Sequence, residues 1–191
     1  MEKLRIGLAL TGSFCTFEKA VAAAEALAEK YDVTAIMSGT AYETDTRFGA
    51  AAEFVRRLEA ITGKPVLHTV ADAEPIGPKA MFDVLAVAPC TGNTLAKIAN
   101  GITDTPVALA VKSHLRNGKP VLIAVSTNDA LGQSAQNIAR LLTVKHIYFV
   151  PFGQDDPVGK PNSCVAHFDL IAEAACFAAE ERQIQPVLRE Y

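Results

Sequence analysis

A chain of 191 residues, half of them hydrophobic, carries enough apolar side chains for one buried core, and it is read as a single domain over residues 1–191. A formal net charge of −3, a sequence pI of about 5.8 and the lack of any Lys/Arg run exclude an electrostatic case for a nucleic-acid partner. The opening apolar run, residues 6–10, is too short for a secretory core or a membrane span, so a cytoplasmic protein without membrane contact is expected.

Short apolar runs alternate with helix-length patterns along the chain, which predicts an α/β fold with a doubly wound parallel sheet. Residues 4–10 read as a strand buried on both faces, Thr11-Gly12-Ser13 as the turn after it, and 17–30 as an Ala-rich helix. A second strand covers 33–37 and runs into Ser38-Gly39-Thr40. A helix over 48–61 stops at Gly63, with Pro65 beyond it. The stretch 64–80 is the least regular, and a short strand with a loop is expected there.

Residues 82–88 form the clearest core strand, and Pro89 is expected to stop its ladder. Helices follow over 91–101 and 107–117, the second opened by Asp104-Thr105-Pro106. A strand over 120–125, a helix over 130–142 and a strand over 146–150 complete the alternation. A polar loop over 151–162 then leads into a closing helix from about 165 to 182.

In an open parallel sheet, ligands bind beyond the carboxyl ends of the strands, where the strand order reverses. The turns at those ends are Thr11-Gly12-Ser13, Ser38-Gly39-Thr40, Pro89-Cys90-Thr91-Gly92-Asn93-Thr94 and Ser126-Thr127-Asn128. All are rich in hydroxyl, amide and Gly residues, and they are expected to converge on one rim that receives an anion. Neither a GxGxxG fingerprint nor a GK[ST] phosphate loop is present. The four cysteines and four histidines are scattered without metal-ligand spacing, so free thiols and no metal site are expected. Cys90 reads as core, Cys164 as a loop residue able to touch a ligand, and His68 and His114 as lacking an acidic partner at fixed spacing. Lys97, Lys160 and Arg47 are the cations placed nearest the rim; no general base is legible.

The block Ala88-Pro89-Cys90-Thr91-Gly92-Asn93-Thr94-Leu95-Ala96-Lys97-Ile98-Ala99-Asn100-Gly101-Ile102-Thr103-Asp104 resembles the signature of the flavoprotein family. That family includes flavin prenyltransferases, phosphopantothenoylcysteine decarboxylases and lantibiotic cysteine decarboxylases. Gly12-Ser13, Met37-Ser38 and the stretch 121–128 support the likeness by arriving in order. The resemblance implies FMN bound on a Rossmann-like three-layer fold and a homo-oligomer, trimer or dodecamer. By position, Gly12, Ser13 and Ser38 would meet the phosphate and ribityl chain. Thr91, Gly92, Asn93 and Thr94 would face the phosphate and the isoalloxazine edge, and Ser126 and Asn128 would lie near the ring.

Two departures bear on the activity. The decarboxylases carry a His ahead of the strand equivalent to 82–88, and Glu74-Pro75-Ile76-Gly77-Pro78-Lys79 has none. Their Pro-x-Met-Asn element is here Ser126-Thr127-Asn128, and the prenyltransferase Arg is replaced by Ser126. The opening Thr11-Gly12-Ser13-Phe14-Cys15-Thr16-Phe17 and Lys160-Pro161-Asn162-Ser163-Cys164-Val165-Ala166 resemble a branch whose members are one chain of a two-subunit synthase making an aromatic dicarboxylate in sporulation. That likeness implies a small cyclic dicarboxylate substrate of the lysine pathway, a dehydrogenase-like partner carrying NADP, and for this chain the role of an oxidoreductase subunit. The alternatives are a non-catalytic or flavin-free partner that kept the fold, and a flavin-dependent decarboxylase.

Overall fold

A strand covered on both faces must be apolar in both directions, a condition met by four runs rich in Val, Ile, Leu and Ala, and a shorter Ile-Tyr-Phe run joins them at the edge. In the computed structural model, which describes residues 3–191, they form β1 (Arg5–Leu10), β2 (Asp32–Met37), β3 (Val84–Cys90), β4 (Val121–Thr127) and β5 (Ile147–Phe149). These pair in parallel in the order β2-β1-β3-β4, with β5 on the first half of β4. The order reverses between β1 and β3, which is the switch point of a doubly wound sheet.

Helices α1 (Phe17–Ala28), α3 (Ala51–Thr62) and α8 (Ile171–Ala179) form one packed group, with α1 touching both of the others. A second group holds α5 (Gly92–Asn100), α6 (Pro106–Arg116) and α7 (Ala135–Leu141), so helices cover both sides of the sheet. Short helices α2 (Gly39–Glu43) and α4 (Val70–Ala73) fill the connections after β2. Two further strands, β6 (Phe152–Gly153) and β7 (Cys164–Ala166), pair antiparallel with each other, and β7 pairs antiparallel with the end of β4. No helix among the described residues is long and apolar enough to cross a membrane.

Several expectations shift. The closing helix begins at Ile171, not near 165, because Cys164–Ala166 finds open edge positions at Ser126 and Thr127 and becomes a strand. The sheet is therefore mixed at that edge. The helix expected over 130–142 starts at Ala135, because the Asp129 carboxylate accepts from Gln133 and Ser134 N–H and holds the chain in turns. Within 64–80 the expected strand reduces to one bridge, Leu67 against Ile36, followed by α4 with a Thr69/Asp72 capping box. Pro89 does not stop β3: the register slips between Val87 and Cys90, and Cys90 pairs with Val125. Cys164 lies buried on β7 rather than in a polar loop.

The loops leaving β1 and β3 are tied by one hydroxyl. Thr11 Oγ1 donates to Pro89 O at 2.8 Å and accepts from Thr91 N–H at 3.0 Å, with Thr11 only 1 % exposed. Replacing it by Val keeps the shape but takes the acceptor from Thr91 N–H, while Pro89 O keeps its bond from Thr11 N–H at 3.2 Å. Thr11→Val is expected to lower stability by about 1–3 kcal/mol, read as a lower urea midpoint with unchanged slope.

His114 on α6 is buried, and desolvation pushes its pKa from 6.5 down to about 4, outweighing a backbone hydrogen bond at Pro120. The fold thus favours the neutral ring. Its stabilising effect is complete above pH 6.5 and is lost progressively as pH falls toward about 4. Thermal melts across that window should show a loss of up to roughly 3 kcal/mol in the native protein. In His114→Gln the loss should be absent.

Candidate functional site

Two hollows adjoin at the carboxyl ends of the strands. The first, of about 390 Å³, lies among Gly12-Ser13 after β1, Ser126-Thr127-Asn128 at the end of β4, the Arg47-Phe48 turn, and Asp155 and Lys160 of the late loop. The second, of about 490 Å³, lies among Ser38-Gly39-Thr40 after β2, Asn93 and Thr94 at the start of α5, His68, and the Asp104-Thr105-Pro106 turn. Gly12 and Thr91 line both, so the two hollows share a lip at the strand-order reversal. Sites of this size are ordinary for small ligands and cofactors.

Each polar wall has a local cause. Ser38 caps α2 by accepting from Ala41 N–H at 3.3 Å. Thr91 caps α5 by accepting from Thr94 N–H at 3.3 Å and donates to Thr94 Oγ1 at 3.1 Å. The N–H groups of Gly92 and Asn93 stay in the first turn, where no intrahelical acceptor exists. Ser13 Oγ lies 2.7 Å from Ser126 Oγ, which is also 3.3 Å from Thr16 Oγ1.

The expected site residues thus divide. Gly12, Ser13, Thr91, Ser126 and Asn128 line the first hollow; Gly12, Ser38, Thr91, Asn93 and Thr94 line the second. Ser126 is 2 % exposed and spends its hydroxyl on Ser13 and Thr16, so it braces the β1 loop against β4. Gly92 lines neither hollow. A Cβ there would stand 2.6 Å from Ser134 Oγ and 3.0 Å from Thr127 Oγ1, so its small size serves packing. Asn128 is exposed, with its Oδ1 3.3 Å from Ser163 Oγ.

Among the cations, Arg47 and Lys160 reach the first hollow, while Lys97 is held by Asp104 at 2.7 Å. The Lys97 ammonium in turn holds the Asp104 carboxyl below its usual range. Cys90 is wholly buried and desolvation pushes its thiol far up, which removes it as a nucleophile.

Sequence reasoning missed His68. The Leu67 bridge beside Ile36 carries the chain back past the end of β2 and sets His68 against the Ser38 turn, ahead of the segment Glu74–Lys79 that lacks a histidine. It also has the acidic neighbour it was expected to lack. Nδ1 lies 3.8 Å from Asp72 Oδ2, His68 N–H donates to the same oxygen at 3.1 Å, and the ring stacks on Tyr42 at 3.7 Å. Hydrogen bonds from Thr69 first, and then from His68, hold the Asp72 carboxyl below its ordinary range. The i,i+4 spacing of His68 and Asp72 was the available signal.

The family model described as "Flavoprotein" matches residues 1–175. The B subunit of dipicolinate synthase from Bacillus subtilis (strain 168) is 45 % identical over 187 residues, covering 97 % of this chain and 94 % of that protein. The crystal structure of the corresponding B subunit from Bacillus halodurans superposes with a TM-score of 0.90 at 44 % identity, covering 100 % of this chain and 99 % of the other. A structure of the FMN-dependent cysteine decarboxylase SpaF shares the fold, with a TM-score of 0.68 at 22 % identity over 92 % of this chain and 97 % of its own. Family model and sequence relative agree: the chain belongs to the flavoprotein family.

Proposed function

We propose that this chain binds FMN across the two adjoining hollows and acts as the B-type subunit of a dipicolinate synthase. With the dehydrogenase-like A-type subunit carrying NADP, it contributes to converting a dihydrodipicolinate-type intermediate of the lysine pathway to dipicolinate in sporulation. The observation that carries the cofactor reading is the shared lip. Gly12 and Thr91 join a hydroxyl- and N–H-rich hollow to one flanked by aromatic rings, as an anionic nucleotide with a wide ring requires. Likeness along nearly the whole chain to a dipicolinate synthase component supports the choice of reaction.

The residues fit the group. A Cβ at Gly12 would lie 3.4 Å from Thr40 Cγ2, so the bare backbone there keeps the passage between the hollows open. Ser38, Asn93 and Thr94 would hold the phosphate, and Gly12 and Thr91 the ribityl chain. Ser13, Ser126 and Asn128 would border the ring, with Ser126 fixing the position of Ser13 rather than donating itself. Bound FMN supplies a two-electron acceptor. Aromatisation of a dihydro ring would release two electrons and two protons, for which bound FMN or the partner's nicotinamide would supply the acceptor. The family likeness supports assembly as a trimer or dodecamer.

A flavin-dependent decarboxylase is the second reading, favoured by His68 in the second hollow beside Asp72. Release of CO2 from cysteinyl peptides would support it; none is expected.

Purified protein, or protein supplied with FMN, should show oxidised-flavin absorbance. Ser38→Ala and Thr94→Val should each weaken FMN binding by about tenfold, the scale of a lost hydrogen bond to a charged group. Gly12→Val should abolish uptake while leaving the circular dichroism spectrum intact. A protein that takes up no FMN overturns the cofactor reading.

Co-purification with the dehydrogenase-like partner followed by a dipicolinate assay tests the reaction. The partner alone is expected to work at a small fraction of the two-component rate. Full activity without this chain overturns the enzyme reading.

A further inference from the structure

A cyclic dicarboxylate brings two negative charges, and the hydroxyls and amides of the first hollow do not neutralise them. Two cationic side chains do reach it, from loops far apart in sequence. Arg47 sits on a closed turn. Thr46 N–H donates to Gly49 O at 3.0 Å, Gly49 N–H returns to Thr46 O at 3.1 Å, and Phe48 N–H donates to Thr46 Oγ1 at 3.2 Å. Gly49 at φ 143° makes that turn possible. The Arg47 guanidinium lies 4.8 Å from the Phe48 ring centroid and, among the described residues, forms no ion pair.

Lys160 sits on a loop fastened to itself. Lys160 N–H donates to Asp156 O at 2.8 Å, Ser163 N–H to Lys160 O at 2.9 Å, and Gln154 Nε2 to Pro161 O at 2.8 Å. Its ammonium stands 3.7 Å from Asp155 Oδ2, while Ser163 Oγ holds the other oxygen of that carboxylate at 2.5 Å. The Asp155 carboxylate therefore offsets one of the two positive charges and leaves Arg47 uncompensated. Phe14 and Phe48 supply apolar ring surface in the same hollow.

We infer that Arg47 and Lys160 are the two arms of a carboxylate site that selects small planar dicarboxylates over monocarboxylates. Each arm takes one carboxylate, with the ring against the Phe14 and Phe48 side of the hollow. Arg47 gives a planar fork suited to a carboxylate, and Lys160 a point charge that an incoming anion shares with Asp155. This deepens the proposed function and rests on the substrate lying in the first hollow on its Arg47, Phe48 and Lys160 side, beside the flavin ring that Ser13, Ser126 and Asn128 would border.

Isothermal titration of the FMN-loaded protein with pyridine-2,6-dicarboxylate and with pyridine-2-carboxylate tests it. The native protein should prefer the dicarboxylate by about tenfold or more, the scale of one charge-assisted contact. Arg47→Ala and Lys160→Met should each erase that preference, and Arg47→Lys should keep part of it. Lys112→Ala, an exposed cation on α6 that lines neither hollow, should leave it whole. Flavin absorbance in the same samples should be unchanged. Equal binding of both probes by the native protein, native-like preference in either variant, or loss of flavin in the variants overturns the inference. Should the native protein take up no FMN, the cofactor reading falls separately, and the same titration on flavin-free protein still decides for or against the two arms.

Discussion

The site depends on two neighbouring strands whose connections leave in opposite directions. β1 and β3 are hydrogen-bonded side by side, yet β1 leads on to β2 on one flank and β3 to β4 on the other. No connection can roof the gap between their ends. The Thr11 hydroxyl keeps that gap at a fixed width by bonding both the carbonyl and the N–H of the β3 loop. A strand pair that is apolar from Ile6 to Leu10 and from Val84 to Ala88 thus carries the polarity of its carboxyl end in the loops, where a buried hydroxyl has partners.

An acidic chain can host an anion because charge acts locally. The carboxylates nearest the hollows are already engaged: Asp104 by Lys97, and Asp155 by Lys160 and Ser163. What remains is a surface of hydroxyls, helix-start N–H groups and one uncompensated guanidinium. Buried Cys90 adds no charge, since desolvation keeps it a neutral thiol. The chain prepares a polar binding surface at the ends of its strands.

Much of the fold could be read before any coordinates. The uninterrupted apolar runs of β1, β3 and β4 announce strands covered on both faces, and the small polar residues after them announce turns at a ligand edge. The misreadings share one origin. Val165 and Ala166 adjoin an Ala-rich helix, and local composition assigns them to it and Cys164 to the loop before; only the free edge of Ser126 and Thr127 turns Cys164–Ala166 into a strand. Gly92 looks like a residue left bare for a ligand, and it is bare for Ser134. His68 stayed hidden because its place beside the Ser38 turn and the Tyr42 ring is set by the Leu67 bridge to Ile36, a contact between segments far apart in the chain.

The sequence alone determined the alternation of strands and helices, the polar turns and the family signature, because hydrophobic period and turn chemistry are local properties. Tertiary structure decided which hydroxyls remain open and which become braces, that the rim divides into two hollows joined at Gly12 and Thr91, and that Arg47 and Lys160 meet across one of them. Those outcomes turn on distances between segments far apart in the chain, and such distances exist only once the strands have chosen their neighbours.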